Sequence, residues 1–150
     1  MTADRRRSVP SREDASRSVR EAGLRSTGPR VAVLRALGSA ASPVTHAVLA
    51  EQLADEGMDR ATIFRNLTDL VAAGLVRRID AGDHVWRFEV RRTAAHAQSD
   101  HPHFTCVDCG SVSCLQDLKV QIVPVAGAAA KAKVIRFDEV LLKGHCENCS

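Results

Sequence analysis

The chain has no cysteine before position 106, no tyrosine and a single tryptophan among its 150 residues. It also has no apolar run approaching the roughly 18–20 residues that a helix needs to cross a bilayer, which excludes a helical membrane span. The N-terminal stretch MTADRRRSVPSREDASRS contains no apolar segment, so it does not read as a secretory signal, and the protein is expected to remain in the cytoplasm. There is no nucleophile motif, no glycine-rich phosphate loop and no second acid–base pair. Those absences argue against an enzyme and against a small organic substrate. A small zinc hydrolase built on Glu89, His101 and His103 would need an open metal position holding water, and nothing else in the chain supports one. The five cysteines are an odd number in a chain expected to be cytoplasmic, which argues against a disulfide framework and for metal binding.

What is present is ordinary globular material, with 45 % hydrophobic and 26 % charged residues. The length suits one domain or two very small ones, and each small half would be marginal without a metal staple or a partner. The net charge is only +3, but nearly all the arginines fall between Arg5 and Arg92. A basic front half suits an anionic partner such as DNA. The run Arg5-Arg6-Arg7 lies in a stretch without apolar periodicity and reads equally as a solvated tail.

Residues 1–10 read as a disordered basic tail. Ser11 with Asp14 three residues on resembles a capping box, opening a helix over about 12–22. Pro29 can start a second helix, with Val31, Leu34 and Leu37 inward and Gly38 at its end. A third is expected over about 45–56, burying Val48, Leu49 and Leu53. Asp59 caps a fourth over about 60–73. At 100° per residue Ile63, Phe64, Leu67, Leu70 and Val71 share its apolar face. Thr62, Arg65, Asn66 and Asp69 share the other. A hairpin follows, Leu75–Asp80 and His84–Val90 about an Ala81-Gly82-Asp83 turn, and helices followed by a ribbon make a winged-helix pattern over 11–90. RRTAAHAQSD, 91–100, reads as a hinge. Beyond it, 101–150 reads as a small β-rich unit, with strands at 101–105, 112–123 and 134–142 and a short helix or loop at 124–133.

The strongest chemical signal is Cys106-x2-Cys109 with Cys146-x2-Cys149. Each pair can present two thiolates from a tight turn, and together they fill a zinc tetrahedron. His101 and His103 lie two apart on an expected strand, so both imidazoles point to one face just ahead of the first knuckle. Cys114 reads either as a further ligand or as a small buried hydrophobe. On the fourth helix, Arg65 and Asn66 are side chains suited to guanine and adenine edges in the major groove, unless the face is merely solvated. Arg20, Arg25, Arg30, Arg60, Arg77 and Arg78 can reach phosphates on either side.

These segments resemble the Fur (ferric uptake regulator) family. HPHFTCVDCGSVSCL at 101–115 is similar to that family's HxHFxCxxCGxV segment, and GHCENC at 144–149 to its C-terminal knuckle. ATIFRNLTDLVAAGLV at 61–76 resembles its recognition helix and the start of its wing, and GLRSTGPR at 23–30 its opening. The resemblance implies a mixed α/β chain, with an N-terminal winged helix and a small β-rich C-terminal dimerisation domain stapled by zinc. It implies a homodimeric repressor acting on double-stranded operator DNA. Cys106, Cys109, Cys146 and Cys149 would hold the structural zinc, and Glu89, His101 and His103 a regulatory ion. On the DNA side it implies Phe64 and Arg65 on the recognition helix and Arg25 in the minor groove; Arg30, Arg60, Thr62 and Asn66 are further candidate DNA-binding residues by their type and position.

Three departures shape the expected chemistry. Ser42 stands where many members carry a histidine ligand, and His46 or His96 is the candidate replacement. Cys114 stands where Asp or Glu is usual. The helix of the dimerisation domain is short or lost around 124–133. One oxygen, two nitrogens and a thiolate suit zinc better than iron or manganese, so the expectation is a metal-responsive repressor with zinc favoured as its regulatory ion. The alternatives are an iron-, manganese- or peroxide-responsive relative, or a constitutive DNA binder with structural zinc alone.

Overall fold

The structure is a computed structural model that describes residues 9–91, 102–115, 118–121 and 140–150. The chain separates into two compact units, Met1–Ala95 and His96–Ser150. Residues 1–8 of the tail read over 1–10, 92–100 of the hinge read over 91–100, and the whole of the helix or loop read over 124–133 lie outside the described residues, as do His96 and His101.

In the first unit, α1 is Arg12–Glu21. The Ser11 oxygen accepts from Asp14 N at 3.0 Å, and acids in its first turn with Arg20 in its last complement the helix dipole. α2 is Gly28–Ser39, with Pro29 at its start, where a missing N–H costs nothing. A two-residue strand, β1 (Val44–Thr45), leads into α3, His46–Gln52, whose Thr45 cap accepts from Val48 N at 3.3 Å. A single 3-10 turn, Ala54–Glu56, ends at Gly57, which has φ 71°. α4 is Arg60–Ala72. Asp59 caps it by accepting from Thr62 N at 2.6 Å, and that bond lowers the Asp59 pKa. β2 (Val76–Asp80) and β3 (Trp86–Val90) form the wing, and the sheet order is β1-β3-β2.

The core is one cluster drawn from all four helices and the wing root, with Val19, Val33, Leu49, Ile63 and Leu70 fully buried. Each such side chain contributes about 1.5–3 kcal/mol.

Several faces differ from the sequence reading. Val48 is 38 % exposed, because Leu49 and Leu53 already form the inward stripe of α3. Phe64 is 58 % exposed and Asn66 only 8 %. Both flank the Ile63–Leu67–Leu70 stripe at similar angles, so neighbouring contacts decide. The Asn66 amide donates to Thr62 O at 2.8 Å and turns inward, while Phe64 turns out. The third helix stops early, since only its first seven residues are α-helical.

In the second unit, β4 (His103–Cys106) is central, antiparallel to β5 (Val112–Cys114) and parallel to β6 (Leu141–Gly144). The expected long strand over 112–123 is three residues, and 118–121 is described but not extended into a sheet. Of the third strand, expected over 134–142, residues 134–139 lie outside the described residues, and β6 runs on past 142 to Gly144.

Candidate metal centre and nucleic-acid interface

The parallel pairing of β4 with β6 sets Cys106 opposite Gly144, so both CxxC loops leave the sheet at the same end. The four ligand sulfurs of Cys106, Cys109, Cys146 and Cys149 all lie within 4.8 Å of one another. Cys109 Sγ and Cys146 Sγ are 3.8 Å apart. A tetrahedral zinc with bonds of about 2.3 Å would set sulfurs about 3.8 Å apart, so the residues fit that ion. The turns are tight: Gly110 N donates to Cys106 O at 3.0 Å and Cys149 N to Cys146 O at 2.9 Å. Gly110 takes φ 68°, which a side chain would resist.

The same turns stabilise negative charge on sulfur. Backbone N–H groups of Cys109 and Cys146 bring the Cys106 thiol down to about 6. The Ser111 hydroxyl and N–H lower Cys109. Cys149 is pushed up to about 12 by hydrogen bonds to Cys146 and Cys109. A second tie joins the loops, unforeseen in the sequence: His145 Nδ1 lies 2.5 Å from Asp108 Oδ2, which raises the His145 pKa.

His103 is buried and sits opposite Cys114 in the antiparallel register. Opposed residues share a sheet face with Cβ atoms about 4.5–5.5 Å apart. In the first unit, Glu89 is buried on β3, where Arg77 Nε and Nη2 donate to its Oε2 at 3.1 and 3.0 Å. Arg77 is thus committed within the wing rather than turned outward to phosphate. Arg78 instead stacks on Trp86, its guanidinium carbon 3.8 Å from the ring centroid.

On α4, Phe64 and Arg65 are exposed side by side near the N-terminal end, with Arg60 exposed and Thr62 half-buried one turn before. Arg65 Nη2 reaches Thr62 Oγ1 at 3.4 Å. Arg25 and Arg20 are exposed, the latter donating to Ser16 Oγ at 2.8 Å. Arg30 is not at the surface as expected: its side chain is 13 % exposed and pairs with Asp69 of α4. His46, weighed as a replacement metal ligand, has its Nε2 2.9 Å from Arg60 O, which it meets as a donor.

The chain thus carries a winged helix in its first unit and a four-cysteine cluster in its second. The Ferric uptake regulator family model matches residues 21–137. The chain belongs to the ferric uptake regulator family.

It is 32 % identical over 139 residues to the transcriptional regulator FurA of Mycobacterium tuberculosis, covering 91 % of this chain and 90 % of that one. The Vibrio cholerae ferric uptake regulator superposes with a TM-score of 0.65 at 26 % identity, covering 89 % of this chain and all of that one. Holo XcZur superposes with a TM-score of 0.55 at 27 % identity, covering 92 % of this chain and 97 % of that one. Membership makes this protein a metal-binding, DNA-binding transcriptional regulator with the family's mixed α/β fold. Among the described residues no helix is long and apolar enough to cross a membrane.

Proposed function

We propose that the protein is a homodimeric, non-enzymatic, zinc-responsive repressor. The observation that carries the choice of metal is the pairing of Cys114 with His103 across β4 and β5. A thiolate beside an imidazole is a soft-to-borderline donor pair, which suits zinc better than a hard six-coordinate iron or manganese. His101 adds the second imidazole. Glu89 belongs to the other unit, and its part in the site rests on the sequence resemblance alone. A second zinc at Cys106, Cys109, Cys146 and Cys149 staples the small sheet. Bound zinc at the regulatory residues favours the conformers competent for operator DNA, so DNA affinity follows their fraction.

In this proposal α4 enters the major groove, with Phe64 and Arg65 reading bases and Arg60 and Thr62 on the backbone. Arg25 reaches the minor groove. Exposed Val107, Leu118 and Leu142 on the small sheet's unit favour a self-complementary partner over a lone monomer.

The deciding experiment measures operator affinity against buffered zinc, iron, manganese, cobalt and nickel, with metal content determined in parallel. Zinc should act at the lowest free concentration. Activation by iron or manganese alone overturns the zinc assignment, and a flat response returns a constitutive binder with structural zinc only.

A further inference from the structure

We infer that Arg30 is a positioning residue: with Asp69 it brackets the Arg25 loop onto the recognition helix, and it does not itself contact DNA. The inference rests on the reading that Arg25 and α4 bind DNA.

Two contacts on one guanidinium, together with its burial, carry it. Arg30 stands in the first turn of α2, and its Nη1 donates to the backbone carbonyl of Arg25 at 2.7 Å. Its Nη2 pairs with Asp69 Oδ2 on α4, 39 residues away in sequence. At 13 % exposure the side chain has little surface left for a phosphate. A guanidinium suits this task because its planar donors leave in fixed directions and can bridge two acceptors on different elements. The carbonyl it holds belongs to Arg25, so the bond fixes the backbone from which that exposed side chain departs.

Asp69 supplies the second half of the argument. It lies one turn beyond Arg65 on the same side of α4 and is itself 48 % exposed. A carboxylate there faces the strand of phosphates that Arg65 approaches, and phosphate repulsion alone would disfavour it. Its use is internal: it anchors Arg30. The two DNA elements, an arginine on a loop and a helix in a groove, are thereby registered to each other through one ion pair.

Signs separate this from simple charge counting. Asp69→Asn removes a negative charge from the DNA side, so electrostatics alone gives tighter binding and a steeper salt dependence. A broken bracket gives the reverse. The probe is the duplex that the zinc-loaded parent protein selects from a random-sequence pool, and full-length zinc-loaded variants are compared on it. Arg25→Ala comes first, and unchanged affinity would overturn the DNA reading of Arg25 and the bracket with it. Given a loss there, Asp69→Asn and Arg30→Met should each weaken binding by about three- to tenfold. Asp69→Asn should also lower the salt slope by about one, as the Arg25 contact is lost. The double variant should bind no worse than Arg30→Met, Arg25→Ala should cost little in the Asp69→Asn background, and Asp69→Glu, which keeps the carboxylate, should bind more tightly than Asp69→Asn. Equal or tighter binding by Asp69→Asn, or a reduced salt slope in Arg30→Met alone, overturns the bracket while leaving the DNA reading intact.

Discussion

The ring of His46 meets Phe64 edge to face, with centroids 6.0 Å apart and planes at 85°. The same imidazole donates from Nε2 to the carbonyl of Arg60, the first residue of α4. His46 opens α3, so this one side chain ties the start of α3 to the start of α4 and fixes an aromatic ring that is more than half exposed. Aromatic pairs of this kind contribute about 0.5–1.5 kcal/mol beyond area burial. His46→Ala should therefore weaken operator binding by about two- to tenfold, with the loss concentrated at the base steps that Phe64→Ala also affects. His46→Phe keeps the ring and should recover most of it. Quantitative binding to single-base operator variants checks this. Equal losses at every position would make His46 a general stabiliser of the fold instead.

The four-cysteine cluster predicts a metal-dependent half of the molecule. Cys109→Ser should lose the structural zinc and unfold the C-terminal unit, because thiolate ligation and folding of so small a sheet are one equilibrium. The first unit has its own core and should survive, giving a residual transition by calorimetry. Zinc content at the parent level, with an unchanged melting profile, would remove Cys109 from the site.

The wing tip carries a pH dependence. Asp83 Oδ1 and Oδ2 receive Arg87 Nη1 and Nη2 at 3.0 and 2.8 Å, and Oδ1 also accepts from Val85 N at 3.1 Å. The arginine bonds foremost, then the backbone bond, lower the Asp83 pKa from 3.8 to about 2. A depressed carboxyl stabilises the folded hairpin fully above its ordinary value, and that contribution disappears as pH falls through the folded one. The window is therefore from about pH 4 down to about pH 2. Trp86 is the only tryptophan and sits three residues on, so its fluorescence reports the tip. The parent should show an acid transition in that window. In Asp83→Asn it should be absent. A transition common to both proteins would place its origin elsewhere.

Much of this molecule is legible in its sequence because the relevant signals are local. Asp59, Ser11, Pro29 and the glycines punctuate the helices, and the CxxC spacing announces a knuckle whatever surrounds it. His103 and Cys114 stand out as candidate ligands by residue type, but their opposition across β4 and β5 depends on the turn that joins the two strands, which residue type does not reveal. Phe64 and Asn66 exchanged faces because both sit on the flank of the apolar stripe, where periodicity is indifferent and the His46 ring and the Thr62 carbonyl decide. β1 was missed since two residues give no alternation to read. The burial of Arg30 is not legible because its partner, Asp69, lies 39 residues away and only the packing of α2 on α4 joins them.

The regulatory residues offer the sharpest test. Cys114 and His103 face each other across the β4–β5 ladder, so any ion held by the imidazole lies within reach of the sulfur. Were the residue at 114 a carboxylate, a hard ion with five or six oxygen and nitrogen ligands would be served equally well; a thiolate moves the preference to a tetrahedral, softer ion. Cys114→Ser removes the sulfur with almost no change in volume. It should lower zinc-dependent DNA affinity by about tenfold or more, corresponding to at least about 1.4 kcal/mol, while the other four cysteines retain their zinc. Cobalt substituted into the second site of the parent should give a tetrahedral absorption spectrum with a sulfur-to-metal charge-transfer band. That band should vanish in Cys114→Ser while the tetrahedral character weakens. An octahedral cobalt spectrum, identical in parent and variant, would take Cys114 out of the coordination shell. The soft-donor argument for zinc would fall with it, and a harder ion such as iron or manganese would then fit His101, His103 and Glu89 better.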